Sequence, residues 1–300
     1  MGHTTGSGVT APRRAPAAFE MAAAGTALAP LEGASILVPF VVNVEHWSLD
    51  APMPRAVLPP PHGMTVVPDV ANHSWVLYGL RAGLHRVAQA LAPLGGRVSA
   101  AVNSAVVSEY PAVADLIERE GWEVLAHGVR QQSVHGVPDE RAAIAQAIDQ
   151  LSSRFGRRPR GWLSPGMNQT DDTLRLQAEA GIEYSHDWMI DDRPVWLDAG
   201  PRRMLGLPYT VENNDVTVYQ VQHQPDGALL ARVERTLTRL RAEAPRGAAV
   251  MPIGVHPHIV GVPHRIAELE RIVDLIMQTP ECRPVTSAEM AAWYRAQVPA

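Results

Sequence analysis

Short apolar runs alternate with helix-like segments along most of this 300-residue chain, and this alternation limits the possible folds more than any other feature. The nearly continuous apolar run 35–44 is typical of a strand buried on both faces of a sheet. Further strands are predicted at 97–102, 122–126, 161–164, 182–185, 204–209, 248–255 and near Pro284. Helices are predicted at 75–94, 104–120, 139–155, 171–180, 226–243, 263–277 and 287–296. The pattern indicates an α/β fold whose parallel sheet is closed into a distorted barrel.

Two segments depart from the alternation. Residues 1–33 are rich in Ala, Gly, Thr and Pro without periodicity, so we expect a poorly ordered extension whose order depends on a partner subunit. Residues 34–300 are expected to form one barrel domain. The segment 53–69 contains the run Pro59-Pro60-Pro61 and is too long for a simple connection, which predicts a functional lid.

Composition excludes several classes of protein. The net charge of -5, with both signs mixed, leaves no basic face for nucleic acid. No apolar run approaches the ~18 residues of a membrane helix. The single cysteine, Cys282, excludes an internal disulfide framework and a cysteine-based zinc site. It also fits a reducing compartment, so we expect a cytoplasmic protein that acts on a small molecule.

Titratable and polar side chains follow the predicted strands. The apolar run 248–255 leads into His256, His258, His264 and Arg265 within ten residues. Other such positions are Glu45, His46, His127, Trp162, Ser164, Asp187, Asp192 and Asn214. The ends of parallel barrel strands meet at one face, and imidazole titrates near neutral pH. The sequence therefore predicts general acid/base or metal-assisted hydrolysis at this face.

Each of these residues also has a structural interpretation. Glu45 could cap a helix or join an ion pair, but its place directly after a buried strand favours a functional role. Trp162 could belong to the core, and Asp192 could simply begin a turn. Arg55 and Arg265 could be surface residues, or could hold a substrate carbonyl or carboxylate by a bidentate fork.

Several motifs, taken in order, carry a resemblance to a known family. They are Asn43-Val44-Glu45, Tyr78 to Gly83, Glu123 to Gly128, Arg158-Pro159-Arg160-Gly161-Trp162, Asp187 with 191–194, Pro208-Tyr209-Thr210 with Asn214-Asp215, and His256 to Arg265. From about Ala34 onward the chain resembles the polysaccharide deacetylase (NodB-homology) superfamily. It is most similar to the branch that contains the bacterial allantoinase and related cyclic-amide hydrolases. The resemblance implies a distorted (β/α) barrel, hydrolysis of a non-peptide C–N bond and a homo-oligomer.

The resemblance leaves the metal open. Metal-dependent members carry an Asp pair after the first strand and a His-x-x-x-His segment after the third. Here either Glu45 takes the place of the catalytic base and His46 that of the metal ligand, or Asn43 and Glu45 take those places. Gln131 stands where the second histidine is expected, and Gln is a poor zinc ligand. Glu45, His46 and His127 could still hold one divalent metal, with zinc the first candidate; the alternative is no cofactor.

The roles follow from these matches. Glu45 is expected to activate water, His127 to orient it, and His256 to protonate the leaving nitrogen. Backbone N–H groups near Ser164-Pro165-Gly166, with Arg55, would stabilise the oxyanion. The predicted substrate contacts are Arg55, Trp162, Asp187, Asp192, Asn214, His258 and Arg265. The predicted substrate is a small cyclic amide, imide or ureide; the alternatives are metal-dependent N-deacetylation of a carbohydrate and a non-catalytic ligand-binding barrel.

Overall fold

The computed structural model describes residues 14–21, 27–59 and 63–300. The strands are β1 (Ile36–Val44), β2 (Ser99–Val102), β3 (Glu123–Ala126), β4 (Gly161–Trp162), β5 (Tyr184–Ser185), β6 (Val195–Asp198), β7 (Arg203–Gly206), β8 (Ala249–Val250), β9 (Ile253–Val255) and β10 (Cys282–Val285). The helices are α1 (Val70–Tyr78), α2 (Leu84–Leu91), α3 (Val106–Glu109), α4 (Pro111–Arg119), α5 (Glu140–Phe155), α6 (Thr173–Glu179), α7 (Ala228–Glu243), α8 (Ile266–Gln278) and α9 (Ser287–Arg295). A π-helical turn, Gly79–Gly83, joins α1 to α2.

The sheet is organised around β1. Its first half pairs with β10 and β8, and its second half pairs with β2 and β9. From β2 the order continues through β3, β4, β5 and β7, with every pair parallel. All nine residues of β1 are buried, as its continuous apolar sequence predicted.

A parallel bridge links the segment after β7 to β9 and closes the ring. Asn214, on the segment that follows β7, pairs in parallel with Gly254 of β9, and the Gly254 N–H donates to the Asn213 carbonyl at 3.0 Å. A Cβ at Gly254 would lie 2.7 Å from the Asn214 amide nitrogen, so the close approach requires glycine. The architecture is the predicted distorted (β/α) barrel.

Alternation along β1 decides what faces the interior, because successive side chains of a strand point to opposite sides. Leu37 and Val41 belong to the inner apolar cluster, whereas Phe40 and Val42 belong to the cluster that packs under the helices. Continuing the same alternation carries the side chain of Asn43 to the inner side. Glu45 follows directly after the strand, at the rim.

Several elements differ from the sequence-based boundaries, and three of the differences involve a missed hairpin or a proline. The antiparallel hairpin β6–β7 was not predicted. The predicted strand 248–255 is divided into β8 and β9 at Pro252, and the predicted helix 104–120 is divided into α3 and α4 at Pro111. Proline supplies no N–H to a ladder or a helix interior, which accounts for both divisions.

The segment 27–33 packs on the barrel. Leu28 is buried, its carbonyl accepts from the Ala248 N–H at 2.8 Å, and the Ala29 N–H donates to the Gln297 side chain at 2.6 Å. Packed structure therefore begins before residue 34, earlier than the predicted boundary. Residues 1–13 and 22–26 of the predicted extension lie outside the described residues. Within the described ranges, no helix is both long enough and apolar enough to cross a membrane.

Candidate active site

Glu45 lies at the centre of the polar cluster at the barrel mouth. Its carboxylate is 5% exposed, and Oε1 lies 3.6 Å from His256 Nε2 and 3.8 Å from His127 Nε2. The Trp47 indole N–H donates to Oε2 at 2.6 Å. One oxygen is thus fixed by the indole, while the other faces the two imidazoles.

His256 is held from behind by a buried carboxylate. Its Nδ1 lies 2.7 Å from Asp215 Oδ1, and its backbone N–H donates to Asp215 Oδ2 at 2.6 Å. Asp215 is fully buried and follows the residue that bridges to β9. The sequence motif included Asp215 but gave it no role, because nothing in the spacing shows that it faces a histidine 41 residues later.

His127 presents its Nε2 nitrogen to Glu45. Its Nδ1 donates to the Leu163 carbonyl at 2.5 Å, so the neutral ring carries its lone pair on Nε2. That nitrogen is buried, and no hydrogen-bond partner for it exists among the described residues. It is therefore available to accept a hydrogen bond from a water molecule or a substrate.

Asn103 ties the ends of β1 and β3 together. Its side-chain oxygen accepts from the His46 N–H at 2.9 Å, and its amide nitrogen donates to the His127 carbonyl. The relative position of Glu45 and His127 is fixed by this buried bridge, which the sequence analysis missed.

Electrostatic interactions within the cluster shift the pKa values of Glu45 and His256 in opposite directions. Burial raises the pKa of Glu45, but the neighbouring His127 and His256 outweigh it and hold that pKa well below its usual range. Burial lowers the pKa of His256, but the charge and hydrogen bond of Asp215, with Glu45, raise it to about 10. At neutral pH the cluster therefore contains a Glu45 carboxylate facing a His256 imidazolium.

An aromatic wall borders the cluster, formed by Trp47, Trp75 and His258. The His258 ring centroid lies 4.5 Å from that of Trp75 and 5.8 Å from that of Trp47, both edge-on. Burial, together with the charges of His256 and Arg55, lowers the pKa of His258 to about 3. His258 is therefore neutral, and the wall is uncharged. Neither tryptophan was assigned a role from the sequence.

Arg55 lies on the Pro-rich loop and is exposed. Its charge acts on His258, so it belongs to the rim of the aromatic wall. The loop backbone is held by buried Asn72, whose side-chain oxygen accepts from the N–H groups of Val57 and Leu58 at 2.8 and 3.0 Å. This position is compatible with the predicted substrate contact; the lid itself stays a prediction, and Pro60 and Pro61 lie outside the described residues.

The side chains of Asp187 and Trp162 form hydrogen bonds within the protein. The Asp187 carboxylate accepts from the Ser164 N–H and hydroxyl, both at 2.7 Å, and from Gln169 at 2.6 Å. The buried Trp162 indole donates to the Ser164 hydroxyl at 3.0 Å. Both side chains hold the loop after β4, and their contact with a substrate stays a prediction. The Ser164 N–H is already used, so it is not a free oxyanion donor as the sequence suggested.

Three other predicted contacts also have structural partners. The Asp192 carbonyl accepts from the Val250 N–H, and Val250 pairs with the start of β1, so Asp192 lies at the end of the barrel opposite Glu45. Arg265 pairs with Asp226 at 2.7 Å and lies over the Tyr219 ring. The Asn214 amide donates to the Tyr209 hydroxyl at 3.0 Å, beside Asn43, which donates to the same hydroxyl.

The predicted metal ligands Glu45, His46 and His127 do not form a three-ligand set. The His46 ring faces Ser48 and Tyr110, on the other side of the chain from the Glu45 carboxylate. In the part of the chain that the structure describes, no group of three His, Cys, Asp or Glu side chains is arranged to hold a metal ion. The residues present do not fit a zinc site, which needs at least three protein ligands.

Comparison with known proteins gives a family match over part of the chain. Residues 69–185 match the family model of polysaccharide deacetylases. A Schizosaccharomyces pombe protein assigned as a polysaccharide deacetylase is 26% identical over 246 residues, covering 74% of this chain and 75% of its own.

Two solved structures share the fold over nearly the whole chain. A structure assigned as a polysaccharide deacetylase of Pseudomonas aeruginosa PAO1 superposes with a TM-score of 0.79 at 24% identity, covering 90% of this chain and 94% of its own. The PuuE allantoinase superposes with a TM-score of 0.78 at 23% identity, covering 89% and 93%. Residues 69–185 therefore match the polysaccharide deacetylase family model, and the chain shares its fold with the Pseudomonas aeruginosa protein and with the PuuE allantoinase.

Proposed function

We propose that this C–N hydrolase acts on a small cyclic amide, imide or ureide. The observation that carries the proposal is the buried alignment of Asp215, His256 and Glu45 at the barrel mouth. An ionised carboxylate and a protonated imidazole lie side by side there, 3.6 Å apart, and these are the two groups that a general base and a general acid require.

Attack begins at Glu45. Its Oε1 accepts a proton from a water molecule, and His127 Nε2 accepts the second hydrogen bond of that water and orients it. The water oxygen forms a bond to the amide carbonyl carbon. Because the Trp47 indole already occupies Oε2, only Oε1 is free to take the proton.

Cleavage uses His256. Its Nε2 proton passes to the amide nitrogen as the C–N bond breaks, which leaves an amine and a carboxylic acid. The imidazole is then neutral and recovers a proton from Glu45 across their 3.6 Å contact. Asp215 keeps the ring oriented and stabilises its charged form throughout, as a buried carboxylate does for a catalytic histidine.

The aromatic wall supports a flat, compact substrate. Trp47 and Trp75 present rigid ring surfaces, and His258 between them is uncharged. Such a wall can pack against a planar amide ring. Arg55 at the rim adds one positive charge for a ring carbonyl or carboxylate.

The test is a panel of hydantoins, cyclic imides and ureides, assayed with the wild type and Glu45→Gln. We expect turnover of at least one panel member and a loss of about 10²–10⁴-fold in kcat for the variant, with the fold retained as judged by circular dichroism. The exposed Glu212→Gln is the matched control. Substantial hydrolysis by Glu45→Gln would reject the role of Glu45.

Metal-dependent N-deacetylation of a carbohydrate is a second candidate, favoured by the family match over residues 69–185. It predicts turnover of N-acetylated sugars that a chelator abolishes and that added zinc restores. Ligand-induced thermal stabilisation without turnover of any substrate would instead favour a binding protein.

A further inference from the structure

The turn that carries His256 and His258 is pressed against the helix α1–α2. Residues 251–261 are all buried, and the turn is closed by N–H groups of Ile259 and Val260 that donate to the His256 carbonyl at 2.9 and 3.1 Å. The contact falls on the π-helical turn, Gly79–Gly83, in an otherwise α-helical segment. Such single π turns are often found at functional sites.

Three glycines make the contact close. A Cβ at Gly83 would lie 2.1 Å from the Pro257 carbonyl oxygen, and one at Gly79 would lie 2.5 Å from the His258 Cβ. A Cβ at Gly261 would lie 2.4 Å from the same Pro257 oxygen and 2.6 Å from the Gly83 Cα. All of these distances are shorter than any real Cβ contact, and most of the atoms met are backbone, which cannot rotate away.

Polar and aromatic contacts join the same two segments. Arg86 of α2 donates to the Gly261 carbonyl at 2.9 Å and to the Tyr78 hydroxyl at 3.0 Å. Trp75 of α1 meets the His258 ring edge-on at 4.5 Å. The α1–α2 segment therefore contacts the histidine turn at Pro257, His258 and Gly261.

We propose that Gly79, Gly83 and Gly261 are positioning residues, which set the depth of the histidine turn and so place His256 against Glu45 and Asp215. The reason is geometric: any side chain at Gly83 pushes Pro257 outward, and Pro257 is covalently joined to both histidines. A shift of about 1 Å in a catalytic group is enough to lower turnover by ~100-fold. The consequence for turnover rests on the proposed function, but the placement of the turn does not.

The test compares Gly83→Ala with two glycine controls. Gly136→Ala adds a methyl group where no atom lies within 4 Å, and Gly161→Ala adds one in the core against Tyr184 and Leu125. Proteins labelled with ¹³C-histidine are examined by NMR. We expect the His258 ring signals, shifted by the ring current of Trp75, to move in Gly83→Ala and to keep their wild-type positions in both controls.

A second readout separates positioning from general stability. With a substrate from the panel, we expect kcat to fall by about 100-fold in Gly83→Ala, with KM changed far less, and both constants to stay near wild type in Gly136→Ala. If Gly83→Ala does not fold, Arg86→Met removes the clamp on Gly261 without adding volume, and the same shift of the His258 signals is expected. His258 signals at their wild-type positions in folded Gly83→Ala would overturn the proposal. The same result in Arg86→Met would overturn it if Gly83→Ala does not fold. If no substrate is found, the NMR result alone decides the proposal.

Discussion

The charge on His256 depends on Asp215, and Asp215→Asn removes that support. The carboxylate contacts the ring at 2.7 Å and the backbone N–H at 2.6 Å, and it is fully buried. Asparagine has nearly the same shape but no charge. Burial disfavours the imidazolium and lowers the pKa of His256. In the variant, Glu45 remains to offset this effect, without the help of Asp215.

The size of the effect follows from the pKa of His256, which Asp215 and Glu45 raise to about 10 against the resistance of burial. The interval from an ordinary histidine pKa of about 6.5 to that value corresponds to about 5 kcal/mol, at 1.36 kcal/mol per pKa unit. Asp215 makes the closer contact with His256 and contributes the larger part of this stabilisation of the imidazolium. We therefore expect the pKa of His256 in Asp215→Asn to fall well below its value in the wild type.

The raised pKa of His256 makes the free energy of unfolding depend on pH. The pKa of His256 is higher in the folded chain than in the unfolded one, so its stabilising contribution is complete below about pH 6.5 and is lost as the pH rises towards 10. In Asp215→Asn the loss should occur at lower pH and be smaller. Urea unfolding between pH 6 and 10 measures it.

NMR titration of ¹³C-labelled histidine gives the pKa of His256 directly. Asp226→Asn, which changes an exposed carboxylate paired with Arg265, is the matched control and should titrate as the wild type does. If His256 in Asp215→Asn still titrated near pH 10, the assignment of its charge to Asp215 would be refuted.

Two further substitutions test the surroundings of the cluster. Trp47→Phe removes the donor to Glu45 Oε2 but keeps an aromatic ring. We expect kcat to fall by about 10–100-fold, since a charge-assisted hydrogen bond contributes about 1.5–3 kcal/mol, while KM changes little; equal kcat would contradict this role. Asp187→Asn weakens three hydrogen bonds to the loop at Ser164; we expect the free energy of unfolding to drop by about 2–4 kcal/mol, measured by urea denaturation, and an unchanged stability would show that the carboxylate is not the anchor of this loop.

The sequence alone predicted most of the elements, because their signals are local. The buried apolar run before Glu45 and the amphipathic segments can each be recognised from the spacing of their apolar residues. The parallel barrel follows from the alternation of these segments. It missed the hairpin β6–β7 and the divisions at Pro111 and Pro252, where tertiary packing decides whether a proline is accommodated inside an element or ends it.

The central residues could be named from the sequence for the same local reason. Glu45, His127 and His256 each follow an apolar strand, and strand ends of a parallel barrel share one face. What the chain order could not show is which side of the strand end each side chain takes. Glu45 points into the mouth, whereas the adjacent His46 faces Tyr110, and this ended the predicted metal set.

The partners of those residues were decided only by the tertiary structure. Asp215 meets His256 because a parallel bridge from Asn214 to Gly254 closes the barrel, and Trp75 meets His258 because three glycines let a helix approach the turn. Both depend on contacts between segments far apart in sequence, which carry no periodic signal. The sequence by itself determined most of the strands and placed Glu45, His127 and His256 at strand ends that share one face. The fold decided the charge of His256, because a buried carboxylate 41 residues away in the chain sets its protonation.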